Sequence, residues 1–369
     1  MAQVFFLFSS MSVRGEQGWR ATHRHHYGDR WEPLLRALAQ PVRHVCFLNQ
    51  FASPEFLQRL SYEYHMSPSS IPGCYTYEIP VHESEQFAIE EDEEIVFCHR
   101  STDADLGTAA RTGLSGLVAQ PSTLSPFYFM DGASVISALA LKVQPGDKVL
   151  DLCAAPGGKS LVLATQLFAR SSNTRNEEGL LVCNDFSKTR VRRLTDVLMK
   201  FLPGELFGAD GPGPKIQITS ADGCSYSNTM ERRFAPFDKI LVDAPCSSDR
   251  HLVRQGDGAF TKWSSATPKV NAERQVKLMS NALWWLKPGG TMVYSTCALS
   301  AEENDLAVEA FLKKMKKHFR MEVLPLEQEE LAWVPGFAAE QTDWGTILLP
   351  DKSTFGPLFF CKIRKSIEQ

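Results

Sequence analysis

From Phe127 to the C-terminus the sequence alternates strand-length apolar runs with helix-length amphipathic ones, an order that few folds accept. Apolar runs stand at 148–152 (KVLDL), 180–185 (LLVCND), 216–219, 239–243, 291–295 and 358–363. Helical periodicity follows at 160 onward, after 185 through Leu202, and at 271–286 and 301–318. Strands apolar on both faces and interleaved with helices belong to a mostly parallel sheet covered on both sides, an α/β fold. Ligands in such sheets bind beyond the carboxyl ends of the strands. The candidate residues below all fall just past such ends.

The part before Phe127 reads differently. Residues 1–22 combine apolar and Ser-rich stretches with Arg14 and Arg20 against one acid, Glu16, the composition of a mitochondrial transit peptide. That places the chain in the mitochondrial matrix. Residues 23–126 form an N-terminal extension, with helices expected at 31–38 and 54–62, a solvated acidic loop at 83–94 and a Gly- and Ser-rich linker at 107–126. Residues 127–369 form the catalytic domain. No run of about 18 apolar residues occurs, so no membrane span is expected. The nine cysteines lack a C-x-x-C pair, which argues against a disulfide framework and a zinc site and for thiols in a reducing compartment. A net charge of −4 argues against an unaided, nonspecific grip on nucleic acid.

The turn after the first strand reads Asp151-Leu152-Cys153-Ala154-Ala155-Pro156-Gly157-Gly158-Lys159, which is not the G-x-G-x-x-G of a dinucleotide site. Small residues allow close backbone approach, but a carboxylate ends the strand and Pro156 enters the helix. That suits a cofactor with a cationic sulfonium and an amino acid moiety better than a diphosphate. Asp185 stands where a carboxylate accepts both ribose hydroxyls, and the polar stretch 171–178 explains its distance from Asp151. Asp222-Gly223 follows the third strand and can meet an adenine edge. Together these residues favour S-adenosylmethionine.

Two further strand ends carry thiols, in Asp243-Ala244-Pro245-Cys246 and Tyr294-Ser295-Thr296-Cys297. Cys46, Cys98, Cys153, Cys183 and Cys361 read instead as packing residues. Cytosine C5 is a poor nucleophile toward a methyl group until a thiolate adds at C6, and that thiol must be activated locally. Asp243 can share a proton at cytosine N3, and the second thiol can assist loss of the C5 proton. The spacing does not say which cysteine is the nucleophile.

In this order and spacing, DLCAAPGGKS, DAPCSSDR and YSTCALS resemble the motifs of the NSUN (Sun/Fmu-like) RNA cytosine-5 methyltransferases, over roughly 23–369 and closest to the mitochondrial members. The resemblance implies a class I, Rossmann-like methyltransferase with a mostly parallel seven-stranded sheet. It implies Cys297 as nucleophile and Cys246 as the residue that assists product release, the reverse of DNA cytosine methyltransferases. It also carries over Cys153 through Lys159, Asp185, Arg190, Asp222, Gly223 and Asp243 as cofactor positions. Small-subunit ribosomal RNA is the first substrate it implies and a mitochondrial tRNA the second. The alternative from another class is a ribosome-assembly factor whose catalysis is dispensable. A helical-repeat partner resembling a termination factor would reconcile an acidic enzyme with RNA. The RNA contacts expected in the chain itself are Arg192, Arg193, Lys200, the 249–251 segment (Asp249, Arg250, His251), Lys262, Trp263, Lys269 and the basic run 313–320. Cys224-Ser225 departs from the basic residue that mitochondrial relatives carry there.

Overall fold

Val149 and Leu150, adjacent on the first catalytic strand, are both fully buried but belong to different apolar clusters, one on each face of the main sheet. Leu181 and Val182, Leu241 and Val242, and Val293 and Tyr294 divide in the same way, as the two-residue period of a strand covered on both faces requires. The computed structural model describes residues 14–52, 66–76, 124–169, 179–209, 213–225, 228–334 and 338–367. The expected helix at 54–62, the acidic loop at 83–94, most of the linker and the polar stretch 171–178 lie outside them.

The main sheet is built from β5 (Lys148–Asp151), β6 (Leu180–Asn184), β7 (Ile216–Thr219), β8 (Phe237–Asp243), β9 (Leu286–Thr296), β10 (Met321–Leu324), β11 (Glu340–Gln341), β12 (Thr346–Leu348) and β13 (Leu358–Lys365). The run β7-β6-β5-β8-β9 is parallel, and β13 joins β9 antiparallel. The outer edge of β13 is shared, because β10 pairs with its residues 362–365 and β12 with 358–360. The expected seven strands are therefore present as β7-β6-β5-β8-β9-β13-β10, and the short β11–β12 pair brings the sheet to nine. The chain steps outward from β5 to β6 and β7, then returns to the other side of β5 as β8. This reversal opens a crevice above β5 and β8.

Before β5, four strands make a separate antiparallel sheet, β1 (His44–Leu48), β2 (Ser67–Pro68), β3 (Cys74–Thr76) and β4 (Phe127–Asp131), in the order β2-β3-β1-β4. Across the expected division at 126/127, β4 pairs along its length with β1 of the extension. The expected division at residue 22 cuts through helix α1 (Gly15–Tyr27), which leads into α2 (Trp31–Ala39). Trp19 is fully buried and meets Trp31 and Phe260 edge-on or tilted, with ring centroids 5.2 Å apart in each pair. Trp19, ahead of that division, is thus part of the packed aromatic cluster.

Five more helices frame the site: α3 (Gly132–Leu139), α4 (Gly158–Ala164), α5 (Lys188–Phe201), α6 (Asp249–Gln255) and α7 (Thr267–Trp285). Gly157 precedes α4 at φ 128, and a Cβ there would stand 3.1–3.2 Å from Val197 and Leu194 of α5. Glycine thus satisfies both the backbone conformation and the close helix packing.

Candidate active site

A cavity of about 340 Å³ lies above the β5–β8 crevice. The turn after β5 and the two cysteine loops line it on one side, and Asp131, Ser134 of α3 and Gly356-Pro357 line it on the other.

The β5 turn is held locally. Asp151 is fully buried, and its Oδ2 accepts a 2.7 Å hydrogen bond from Ser160 Oγ. Burial pushes this carboxyl up to about 7, opposed by the Ser160 hydrogen bond, which favours the charged form. Asp185, only 3% exposed, accepts from the N–H groups of Ser187 (2.9 Å) and Ala155 (3.3 Å). Arg190 lies across it, with Nη1 3.2 Å from Asp185 Oδ2 and Nη2 donating to the Ala155 carbonyl. Its side chain is half-exposed and lines the cavity. The Phe186 ring, 72% exposed, follows directly. An apolar face beside a buried carboxylate, with a small-residue turn opening onto a cavity, fits the nucleoside and amino acid parts of S-adenosylmethionine.

Asp243 joins the cofactor turn to the thiols. Its Oδ2 is 2.8 Å from Lys159 Nζ, which also donates to Ser134 Oγ at 3.0 Å, and its Oδ1 accepts from Ser295 Oγ at 2.6 Å. Cys246 and Cys297 approach to 3.2 Å, Sγ to Sγ, as half-buried free thiols. This exceeds the roughly 2.05 Å of a disulfide bond. The Ser248 hydroxyl stands 3.5 Å from Cys297 Sγ and 3.9 Å from Cys246 Sγ. Two thiols, a carboxyl and a lysine therefore converge on one wall. Cys153 also reaches the cavity, but burial pushes its thiol well above the usual range, which suits contact rather than attack.

Two buried carboxylates support the cysteine loops from behind. Glu303 is fully buried and accepts from the N–H (3.0 Å) and hydroxyl of Ser247 and from Gln275 Nε2 (3.0 Å), which also donates to the Pro245 carbonyl. Burial pushes Glu303 up to about 7 against these hydrogen bonds. Asp249 accepts from Trp19 Nε1 and from the Leu299 N–H, each at 2.7 Å, and lies 3.3 Å from His23 Nε2. Burial alone would raise its carboxyl, but His23 and these donors hold it below the usual range. Tyr27 of the same N-terminal helix donates to the Leu299 carbonyl at 2.9 Å.

Of the expected site residues, Cys153, Ala155, Pro156, Lys159, Arg190, Asp243, Cys246 and Cys297 line the cavity together. Ala154, Gly157 and Gly158 belong to the same turn without lining the cavity, and Asp185 bonds that turn at the Ala155 N–H. Asp222 and Gly223 are not on the wall: Asp222 accepts from the Cys224 N–H and Ser225 hydroxyl of its own turn, and the Gly223 carbonyl accepts from Asn281. Three expected RNA contacts need correction, since Asp249, Arg250 and Trp263 are buried. Arg250 instead ties the carbonyls of Gln40, Pro41 and Gly356 together. Arg192, Lys262, Lys269 and the lysines of 313–317 are exposed. Sequence reasoning missed Ser134, Ser248, Gln275, Ser295 and Glu303; Ser248, inside DAPCSSDR, and Ser295, inside YSTCALS, lay within segments already singled out.

The profile of the family described as 16S rRNA methyltransferase RsmB/F matches residues 138–364. The chain is 29% identical to the Bos taurus protein named 5-cytosine rRNA methyltransferase NSUN4, over 94% of this chain and 87% of that one. It is 33% identical to the Mus musculus protein of the same name, over 69% of this chain but only 62% of that one, so the match spans under two thirds of the mouse protein. It is 32% identical to the Mus musculus tRNA (cytosine(34)-C(5))-methyltransferase, mitochondrial, over 67% and 66% of the two chains. The fold is similar to the crystal structure of NSun6 from Pyrococcus horikoshii with SFG, with a TM-score of 0.61 at 18% identity, covering 96% of this chain and 100% of that one.

Proposed function

We infer the function of this chain from its membership: it belongs to the 16S rRNA methyltransferase RsmB/F family, and it is an RNA (cytosine-5) methyltransferase that uses S-adenosylmethionine. Small-subunit ribosomal RNA is the substrate we favour, given the rRNA relatives, with a mitochondrial tRNA as second choice. When bound, the cofactor supplies an electrophilic methyl group. Asp185 would accept its ribose hydroxyls, Phe186 would cover its base, and Cys153 to Lys159 with Arg190 would hold the rest.

The target base must leave its stack to reach the cavity. The Cys297 thiolate then adds to cytosine C6 while Asp243, fixed by Lys159 and Ser295, shares a proton with N3. Electron density gathers at C5, which takes the methyl group. Cys246 assists removal of the C5 proton, after which the S–C6 bond breaks and Cys297 is regenerated. The observation that carries this reading is the 3.2 Å approach of the two thiols beside the Lys159–Asp243 pair. The Cys246→Ala variant is expected to accumulate a denaturation-resistant RNA adduct through Cys297, and Cys297→Ala to form none and lose methyl transfer at least roughly 10³-fold. Normal turnover without any adduct would remove the two-thiol scheme.

The mitochondrial names among the relatives support a mitochondrial location, and we place the chain in the matrix, with any targeting signal ahead of α1. The net charge of −4 supports a helical-repeat protein partner that holds ribosomal RNA on the small subunit. Full-rate methylation of ribosomal RNA by the purified chain alone would exclude that partner. Bisulfite sequencing of mitochondrial RNA with and without the protein names the modified cytosine.

A further inference from the structure

Ser248 holds φ 49 and ψ 54, the left-handed region, where a residue with a side chain costs about 1–2 kcal/mol relative to the right-handed one. Such a conformation persists only where its surroundings fix it from both sides. Here Glu303 holds Ser247 through its N–H and hydroxyl, while the Asp249 side chain is buried against Trp19 and the Leu299 N–H. The peptide between these two anchors turns the Ser248 hydroxyl toward the thiols. Glycine would adopt this conformation without strain but would offer no hydroxyl.

The geometry points to Ser248 as the hydrogen-bond donor that stabilises the Cys297 thiolate, a role that rests on Cys297 being the nucleophile. A serine hydroxyl has one proton, so it serves one sulfur at a time, and the 3.5 Å distance favours Cys297 over Cys246 at 3.9 Å. While Cys297 is a thiol, its S–H can donate to the serine oxygen; as the proton leaves, the hydroxyl rotates and donates to the sulfur. The charged and titratable groups around the thiols are the Lys159–Asp243 pair, Asp131, Arg190, Arg193, Arg250 and His251 on the cavity wall, and Asp249 and Glu303 behind the loop. All of them remain in a Ser248 variant.

The test uses the full chain with Ser248→Gly, Ser248→Ala and Ser248→Asn. Alkylation of Cys297 by iodoacetamide is followed by peptide mass mapping across pH 6 to 10, beside kcat and KM for methyl transfer. Loss of a hydrogen bond to a charged sulfur is expected to slow Cys297 alkylation near pH 7.5 roughly tenfold in the glycine and alanine variants. Its midpoint should move up about one pH unit, with kcat falling in parallel and both KM values unchanged. Glycine removes the backbone strain, so reduced folding cannot mimic the result. Asparagine tolerates the left-handed region and offers N–H donors, so it should restore part of the rate. An alkylation profile in the glycine variant that matches the parent overturns the assignment while leaving the role of Cys297 intact. Methyl transfer that survives Cys297→Ala overturns it from the other side.

Discussion

On the β5–β6–β7 half of the carboxyl edge each carboxylate is held by its own neighbourhood, whereas on the β8–β9 half the cysteine loops are held by residues far away in sequence. Asp151 is bonded by Ser160, 9 positions on, Asp222 by Cys224, 2 positions on, and Asp185 by Ser187, 2 positions on, with Ala155 of the adjoining turn, 30 positions back, as its longest reach. Asp249, by contrast, is bonded by Trp19 across 230 positions and by Leu299 across 50; Ser247 is bonded to Glu303 across 56. Arg250 reaches Gln40 and Gly356, 210 and 106 positions away. The cofactor half is therefore a local module. The thiol half forms only when the N-terminal helix, the β8 and β9 loops and the loop before β13 have all assembled. Catalysis, unlike cofactor binding, should then depend on the integrity of the whole chain.

The largest expected effect comes from the N-terminal helix. A chain starting at residue 23 lacks Trp19, and emptying a fully buried tryptophan site costs about 3–5 kcal/mol. Such a chain should melt far below the parent and lose methyl transfer, and full-length Trp19→Ala should move the same way. If the shortened chain matched the parent in thermal melting and rate, the distant support would be dispensable. A paired substitution then sharpens the contrast. Asp249→Asn puts a donor where Trp19, His23 and the Leu299 N–H converge, and should lower kcat about 10- to 100-fold through misplaced thiols. Its affinity for S-adenosylmethionine should stay within about twofold, because no cofactor position is touched. Asp185→Asn should do the reverse, weakening cofactor binding about tenfold as a charge-assisted acceptor is lost, with Cys297 alkylated at the parent's rate. Calorimetric titration of the cofactor beside iodoacetamide kinetics separates the two outcomes; parallel losses in both variants would erase the distinction between the halves.

The same contrast explains what the sequence made legible. The order of the parallel strands, the turn from Asp151 to Lys159 and the carboxylate at Asp185 depend on residues close together in the chain, and local pattern reports them. The convergence of Cys246 and Cys297 was legible too, because both follow strands of one parallel sheet, and position past a strand end is a local property. Composition in 15–22 does not reveal that Trp19 finds an acceptor on Asp249. Arg250 and Trp263 were read as RNA contacts because a basic or aromatic residue in a connecting segment looks exposed until its distant partners are known. Glu303 sits in a run of acids ahead of a helix, and only packing separates it from its exposed neighbours. β4 and the β11–β12 pair escaped notice for a related reason: their partners β1 and β13 are chosen by tertiary pairing, not by strand pattern.

The smallest effect is one of pH. A carboxyl that titrates near 7 when folded and near its ordinary 4.5 when unfolded binds more protons in the folded state between those limits, so the stability it contributes falls as pH rises from 4.5 to 7. Glu303 behaves this way, and Asp151 on the cofactor half adds a slope of the same sign from its ordinary 3.8 up to about 7. Asp249 has the opposite sign: held below its ordinary 3.8, it contributes stability that is present above that value and lost as pH falls further. Glu303→Gln removes one titrating carboxyl from behind the Cys246 loop. Urea unfolding between pH 5 and 7.5 should then show a shallower loss of stability in this variant than in the parent, with Asp151 still contributing to the slope that remains. An unchanged slope would mean that Glu303 is already ionised at pH 5. The Ser247 and Gln275 donors would then outweigh its burial, and the support behind Cys246 would be a charged anchor rather than one that titrates in the neutral range.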